Sequence, residues 1–176
     1  MRRGRALALA AGCLVLAGPT AGRCDDAVFV TGGLGAGSVG LGGTASLNIV
    51  HGKTLCAFRV ASLEEFNIFG PSPNLSATDF GVMIGRASRS RHGLSYAAAG
   101  VGLVHSVTRG RLVQPGVWFF GPEYERIERT TVGIPVELGA IAHVGVIGIG
   151  VSLFGDINPA QSFVGLALTV PLGKLR

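Results

Sequence analysis

Few residues in this chain could do chemistry, and their spacing argues against most of it. His51, His92 and His143 suggest a metal site. Each is expected in a turn, however, and turns two strands apart stand about 10 Å apart at a strand spacing near 4.8 Å. Three imidazoles so placed cannot share one zinc ion at bonds of about 2.1 Å. His105-Ser106, with Glu123, Glu125 and Glu128 farther on, carries the groups of a serine hydrolase. Neighbouring residues on a strand point to opposite faces, so His105 is badly placed to take a proton from Ser106. The stretch Gly33 to Gly40 reads GLGAGSVG, but a dinucleotide loop works by opening a helix, and no helical pattern follows. There is no CxxC pair, no HExxH and no phosphate loop. The expectation is no catalytic residue, no metal and no cofactor.

The three cysteines read differently. Cys13 sits in an apolar leader, and the apolar core before it is too short for a lipid-anchor signal. Cys24 and Cys56 could pair in an oxidising compartment. The simpler reading leaves Cys56 unpaired and packed as a small hydrophobe.

Length and composition set the frame. The 176 residues suit one domain; 48% are hydrophobic, only 14% are charged, and 29 are glycine. Mean hydropathy is +0.49, high for a soluble domain. Yet beyond the leader no apolar run approaches the roughly 20 residues of a membrane helix. Arg2, Arg3 and Arg5 followed by the apolar run Ala6–Gly18 and the small residues Thr20, Ala21 and Gly22 predict a signal peptide over 1–22, leaving a domain over 23–176. Without those three arginines, twelve of the fifteen Lys/Arg remain against ten Asp/Glu. No basic stripe for nucleic acid is left.

The elements that would carry these groups are strands. From Arg129 onward, large apolar residues alternate with small ones: Val164, Leu166, Leu168, Val170 and Leu172 against Phe163, Gly165, Ala167, Thr169, Pro171 and Gly173. A period of two sends the two sets to opposite faces. The same pattern recurs at Ala27–Gly37, Thr44–Val50, Thr54–Leu63, Asp79–Ser88, Leu94–His105, Arg129–Gly139, Val144–Phe154 and Ser162–Lys174. Connections alternate between longer loops and minimal turns, the longest loop being Ser106–Glu128. Such asymmetry is that of an up-and-down membrane barrel, and strands of about 9–12 residues fit a tilted crossing of about 9–11.

The expected fold is therefore all-β: a closed antiparallel up-and-down eight-stranded transmembrane barrel of the outer-membrane type. Its bulky face would meet lipid. Its inner face would hold Thr31, Ser46, Asn48, Arg59, Thr131 and Glu137, with Arg59 and Glu137 as a structural lumen pair; a proton or ligand role is the alternative. Phe66, Phe69, Phe80, Trp118, Phe119, Phe120, Tyr124, Phe154 and Phe163 would form an interfacial girdle at the loop end. Pro135 and Pro171 fall inside strands, where proline cannot donate to the ladder. Pro135 demands a bulge or a local break, and Pro171 a frayed end.

Three stretches carry a family likeness. Thr131-Val132-Gly133-Ile134-Pro135, the run Gly148 to Asn158, and the ending from Ser162-Phe163-Val164-Gly165 to Gly173-Lys174-Leu175-Arg176 resemble a family of small uncharacterised outer-membrane β-barrel-like proteins of Gram-negative bacteria. The resemblance extends more faintly over Asp79 to Val104. It implies architecture and an outer-membrane location, and it carries no functional residues. The chain ends on Arg176, where a terminal aromatic is usual for such barrels.

Together these readings predict a non-enzymatic outer-membrane protein, structural or surface-interacting, embedded in outer-membrane lipid as a monomer and meeting an envelope or surface partner through its loops. The alternatives are an exported soluble barrel binding an apolar ligand and a lipid-modifying outer-membrane enzyme. Enzymes of the latter kind use a His-x-Ser-Asn-like spacing that this chain lacks.

Overall fold

The structure, a computed structural model, describes residues 26–66, 72–91, 93–116 and 121–175. The expected leader, Cys24, Phe69, His92, Trp118, Phe119, Phe120 and Arg176 lie outside these residues. The described chain forms eight strands: β1 (Ala27–Gly37), β2 (Leu41–His51), β3 (Thr54–Glu64), β4 (Ser76–Arg89), β5 (Gly93–Gln114), β6 (Glu123–Val144), β7 (Ile147–Ile157) and β8 (Phe163–Lys174). Each pairs antiparallel with the next, and β1 pairs with β8 from Val28↔Lys174 to Gly37↔Gly165, so the sheet closes.

Parity decides which face meets which surroundings. Val164, Leu166 and Leu168 are 51%, 59% and 66% exposed on the outside, while Arg59 at 0% lies inside. That inverts a soluble protein. Outward rows run across the strands in register. Val60↔Phe80↔Leu103↔Val132 is apolar, and one step towards the loops Ser62↔Thr78↔His105↔Thr130 is polar. Ser62 and Thr78 hydroxyls bond each other at 2.8 Å, and His105 Nδ1 lies 3.1 Å from Thr130 Oγ1. This row is the loop-side border of the apolar belt.

The interior is layered. At the short-turn end Phe29, Val50, Leu55, Met83, Leu94 and Ile141 pack together; at the loop end Leu63, Val104, Phe154 and Phe163 do. Between them lie Thr31, Ser46, Asn48, Arg59, Asp79, Glu137 and Ser152, all buried. Two of the minimal turns use glycine in the left-handed region, Gly52 (φ 61°) and Gly145 (φ 67°).

Several boundaries move. β2 begins at Leu41 rather than Thr44, and β4 at Ser76 rather than Asp79, because pairing carries the ladder through glycines and small polar residues. The largest correction concerns Ser106–Glu128. It is not a loop but the far half of the β5–β6 hairpin, running to Gln114 and back from Glu123. Towards the end of this hairpin both faces are exposed, as at Leu112 (47%) and Val113 (62%), so the apolar alternation that marks a half-buried strand disappears. β6 also runs on to Val144, and β7 starts at Ile147, so the turn lies at Gly145-Val146 rather than at His143.

Both prolines sit in intact register. The β5–β6 ladder shows Ala99↔Val136 and then Gly102↔Gly133, leaving Gly100 opposite Pro135 without a bridge. The β7–β8 ladder shows Ile147↔Leu172 and then Gly150↔Thr169, leaving Gly148 opposite Pro171. Each proline makes a local break without a bulge, and Pro171 is paired with Thr31 on its other side rather than frayed. The aromatic girdle is corrected as well. Phe154 and Phe163 point inward at 1% and 6% exposure, leaving Phe66 and Phe80 as exposed members among the described residues.

Candidate functional site: a charged layer inside the barrel and a hairpin above it

Arg59 reaches from β3 across the interior and ties its neighbour β4 to β6 and β7 on the far side. Its Nη2 donates to Asp79 Oδ2 on β4 and, at 3.0 Å, to the Gly155 carbonyl on β7. Its Nη1 donates to the Val136 carbonyl on β6 at 2.8 Å and lies 3.6 Å from Glu137 Oε2. The guanidinium also stacks 5.9 Å from the centre of the Phe154 ring. A planar, always-charged fork suits this task, since it can serve several acceptors at once.

The acidic side is wider than Glu137. Asp79 takes the closest contact with Arg59 and also accepts from the Ala61 amide at 3.1 Å. Glu137 Oε1 accepts from the Tyr96 hydroxyl at 2.6 Å. Asp156, 1% exposed, accepts from Asn158 Nδ2 at 2.9 Å. Buried ions are tolerable only when paired and hydrogen-bonded; Arg59 pairs with Asp79 and Glu137, while Asp156 Oδ2 and Glu137 Oε2 have no hydrogen-bond partner among the described residues. Asp79 lay on the inward parity already legible in the alternation, and the same rule would have found it. Asp156 falls beyond the strand end expected at Phe154, because Asp-Ile-Asn-Pro carries turn chemistry, and the ladder extends β7 to Ile157. Tyr96 gave no signal in its alanine-rich strand.

Glycines make room for these large side chains. Gly139 stands opposite Tyr96 in the ladder, and a Cβ there would enter the Tyr96 ring. Gly165 stands opposite Phe154, and a Cβ there would lie 2.6 Å from the Phe154 ring. A Cβ at Gly133 would meet the Asp156 carboxylate.

The other sequence candidates scatter. His51 is exposed, with Nδ1 2.7 Å from Asp26 Oδ1. His143 is not in the turn but two residues before it. It is buried at 3% inside β6, and neither ring nitrogen has a protein partner among the described residues. Among the described residues no group of His, Cys, Asp and Glu could hold a metal ion. His105 faces outward while Ser106 is buried inside, and Glu128 bonds Arg126 at 2.7 Å on the hairpin. Cys56 is free and exposed on the outer face.

Above the belt the hairpin is braced by the described parts of the β3–β4 connection. Arg109 on β5 pairs with Glu65 at 2.6 Å, donates through Nε to the Pro73 carbonyl at 3.2 Å, and lies 6.0 Å from the Tyr124 ring centre. Near the tip, Ser72 Oγ donates to the Pro122 carbonyl. The described parts of the β3–β4 connection thus climb the hairpin from base to tip.

No protein-family model matches this chain, and no curated protein matches it by sequence. Solved structures do match its fold. The N-terminal β-barrel domain of Pseudomonas aeruginosa OprF is 11% identical with a TM-score of 0.53, over 84% of this chain and 96% of that one. Neisserial surface protein A (NspA) is 12% identical with a TM-score of 0.53 over the same shares. Ail, the attachment invasion locus protein of Yersinia pestis, solved with the heparin analogue sucrose octasulfate, is 11% identical with a TM-score of 0.51, again over 84% and 96%. At these identities the likeness is one of fold.

Proposed function

We propose that this chain is a small outer-membrane barrel, exported by its leader, with a structural or surface-interaction role and no chemistry of its own. Its closed wall is the membrane anchor, and the β5–β6 hairpin with the loops beside it is the part offered to the outside. The observation that carries this reading is the inversion across the wall: an apolar belt outside, ended by the Ser62-Thr78-His105-Thr130 row, and the Arg59 layer inside. A continuous apolar outer surface is stable in lipid and a liability in water. The Arg59 layer, capped by apolar side chains at both ends, seals the lumen in this reading, and Arg59 with Glu137 and Asp79 acts as its structural bolt. One chain closes the wall unaided, so the embedded part needs no second subunit.

The alternative of a soluble carrier asks for a hollow lined by apolar side chains, and the centre of this barrel holds Arg59, Asp79 and Glu137 instead. Fractionation tests the reading. The protein is expected in the outer membrane, resistant to carbonate and high salt, with a gel mobility that changes on boiling. Release by carbonate would defeat it. An altered lipid A profile on deletion of the gene would favour the lipid-modifying enzyme.

A further inference from the structure

The near balance of charge along the chain hides an uneven placement. Five cations, Lys53, Arg86, Arg89, Arg91 and Lys174, stand at the short-turn end. Among the described residues only the Asp26 carboxylate opposes them there, and it is already held by His51. The loop end is balanced: the four hairpin arginines stand among five glutamates of the hairpin and the β3–β4 connection.

Four of the five cations form one patch. The β2–β3 turn carries Lys53, and the end of β4 with the turn after it carries Arg86, Arg89 and Arg91. These two turns are neighbours on the rim and are tied to each other. The Ala87 amide donates to the Lys53 carbonyl at 2.9 Å, and Arg89 Nη2 donates to the Gly52 carbonyl at 3.1 Å. From His51 to Phe58 and from Ile84 to Leu94 the sequence holds no aspartate or glutamate. The opposite point of the rim, four strands round, is different. The β6–β7 turn there exposes Val144, Val146 and Ile147 and carries no charge. The patch is therefore a local feature and not a general property of the turns.

It sits where the apolar belt ends. The outward row Ile49↔Cys56↔Ile84 belongs to the belt, and the next row is His51↔Thr54↔Arg86. Arg86 follows Ile84 by one outward step, about 7 Å along the strand. On the far side of the barrel wall's belt, the loop-side border holds hydroxyls and one histidine instead. The two borders are chemically unlike.

We propose that the patch binds the headgroup of an anionic glycerophospholipid in the leaflet on the short-turn side. The acyl chains lie along the outward aliphatics Ile49 and Ile84, and the phosphate lies at the level of Arg86, with Lys53 and Arg91 around it. A guanidinium fork can donate to two phosphate oxygens, and each further cation adds attraction that a zwitterionic headgroup opposes with its own ammonium. Register favours a lipid over an acidic protein, because Arg86 stands in the outward row against the belt, where headgroups lie. The proposal rests on the outer-membrane reading and names the lipid at one end of the barrel.

The test uses the chain expressed with its leader, extracted from membranes in detergent and titrated with lipid under native mass spectrometry. Dioleoylphosphatidylglycerol is expected to form adducts at no more than about a tenth of the concentration that dioleoylphosphatidylcholine needs. Lys53→Gln combined with Arg86→Gln and Arg91→Gln is expected to erase that preference. Lys53→Arg combined with Arg86→Lys and Arg91→Lys keeps the charges and is expected to keep the preference, which separates charge from a folding defect. Arg111→Gln combined with Arg126→Gln and Arg129→Gln on the hairpin is expected to leave it unchanged. Equal binding of both lipids by a chain that keeps its heat-modifiable mobility overturns the lipid and turns the patch towards an acidic protein. A preference that survives the glutamine variants of the patch overturns the location. Displacement of the lipid by excess glycerol 1-phosphate overturns the lipid in favour of a free phosphate ester. A chain that never gains heat-modifiable mobility removes the outer-membrane reading and the proposal with it.

Discussion

Arg59 and Asp79 meet diagonally inside the barrel: the register sets Asp79 opposite Ala61 and Arg59 opposite Gly81, and the side chains close the gap between rows. Gly81, opposite Arg59, makes room on its inward side for Pro135 from β6. The contact joins neighbouring strands, while the same guanidinium holds β6 and β7 through Val136 and Gly155. It is a bolt across the lumen more than a rung on the wall.

Removing one end of a buried pair strands the other. Asp79→Asn is expected to destabilise the barrel by about 3–5 kcal/mol. Arg59→Met is expected to cost more, because Asp79 and Glu137 then both lose the guanidinium they pair with. Urea unfolding followed by heat-modifiable mobility measures both. Equal, small effects would mean that the layer does not hold the barrel together.

Tyr96 is both wedge and donor. Tyr96→Phe keeps the ring over Gly139 and removes only the hydrogen bond to Glu137, an expected loss of about 1–3 kcal/mol for a buried acceptor left unmade. Gly139→Val displaces the ring itself and is expected to cost more in the same unfolding assay. The reverse order would argue that the seat is not filled in the folded protein.

The outer belt predicts where charge is forbidden. Leu166→Arg or Leu168→Arg is expected to cost about 2–4 kcal/mol near the bilayer midplane, while Val113→Arg on the hairpin is expected to be silent. Folding yield into vesicles distinguishes them.

Cys56 offers a probe of the same belt without perturbing it. It lies in the outward row with Ile84 and faces away from the lumen. In intact membranes it is expected to resist a water-soluble maleimide and to react fully once the barrel is boiled in detergent. Rapid labelling of the folded protein would place this row in water.

Arg109 predicts a local effect. Arg109→Ala removes the ion pair to Glu65 and the bond to the Pro73 carbonyl. Proteolysis within the β3–β4 connection is expected to accelerate several-fold, with heat-modifiable mobility unchanged. An unaltered cleavage rate would mean that Arg109 does not hold this connection against the hairpin.

Local pattern carried much of this protein. A strand buried on one face announces itself by period two, so the eight strands, their inward and outward sets, the alternation of loops and turns, and the inward place of Arg59 and Glu137 could be read residue by residue. Pattern failed where the surroundings are the same on both faces. The hairpin of Ser106–Gln114 and Glu123–Arg129 is exposed on both faces over its outer part, so its charges read as loop, and only its ladder reveals a strand. Pairing across the lumen was also hidden: parity states that Asp79 and Asp156 point inward or end a strand, but which carboxylate meets Arg59 depends on the register between strands. Side-chain direction is a property of one strand and is written along the chain. Contact is a property of several strands at once, and closure of the barrel alone brings those residues within reach.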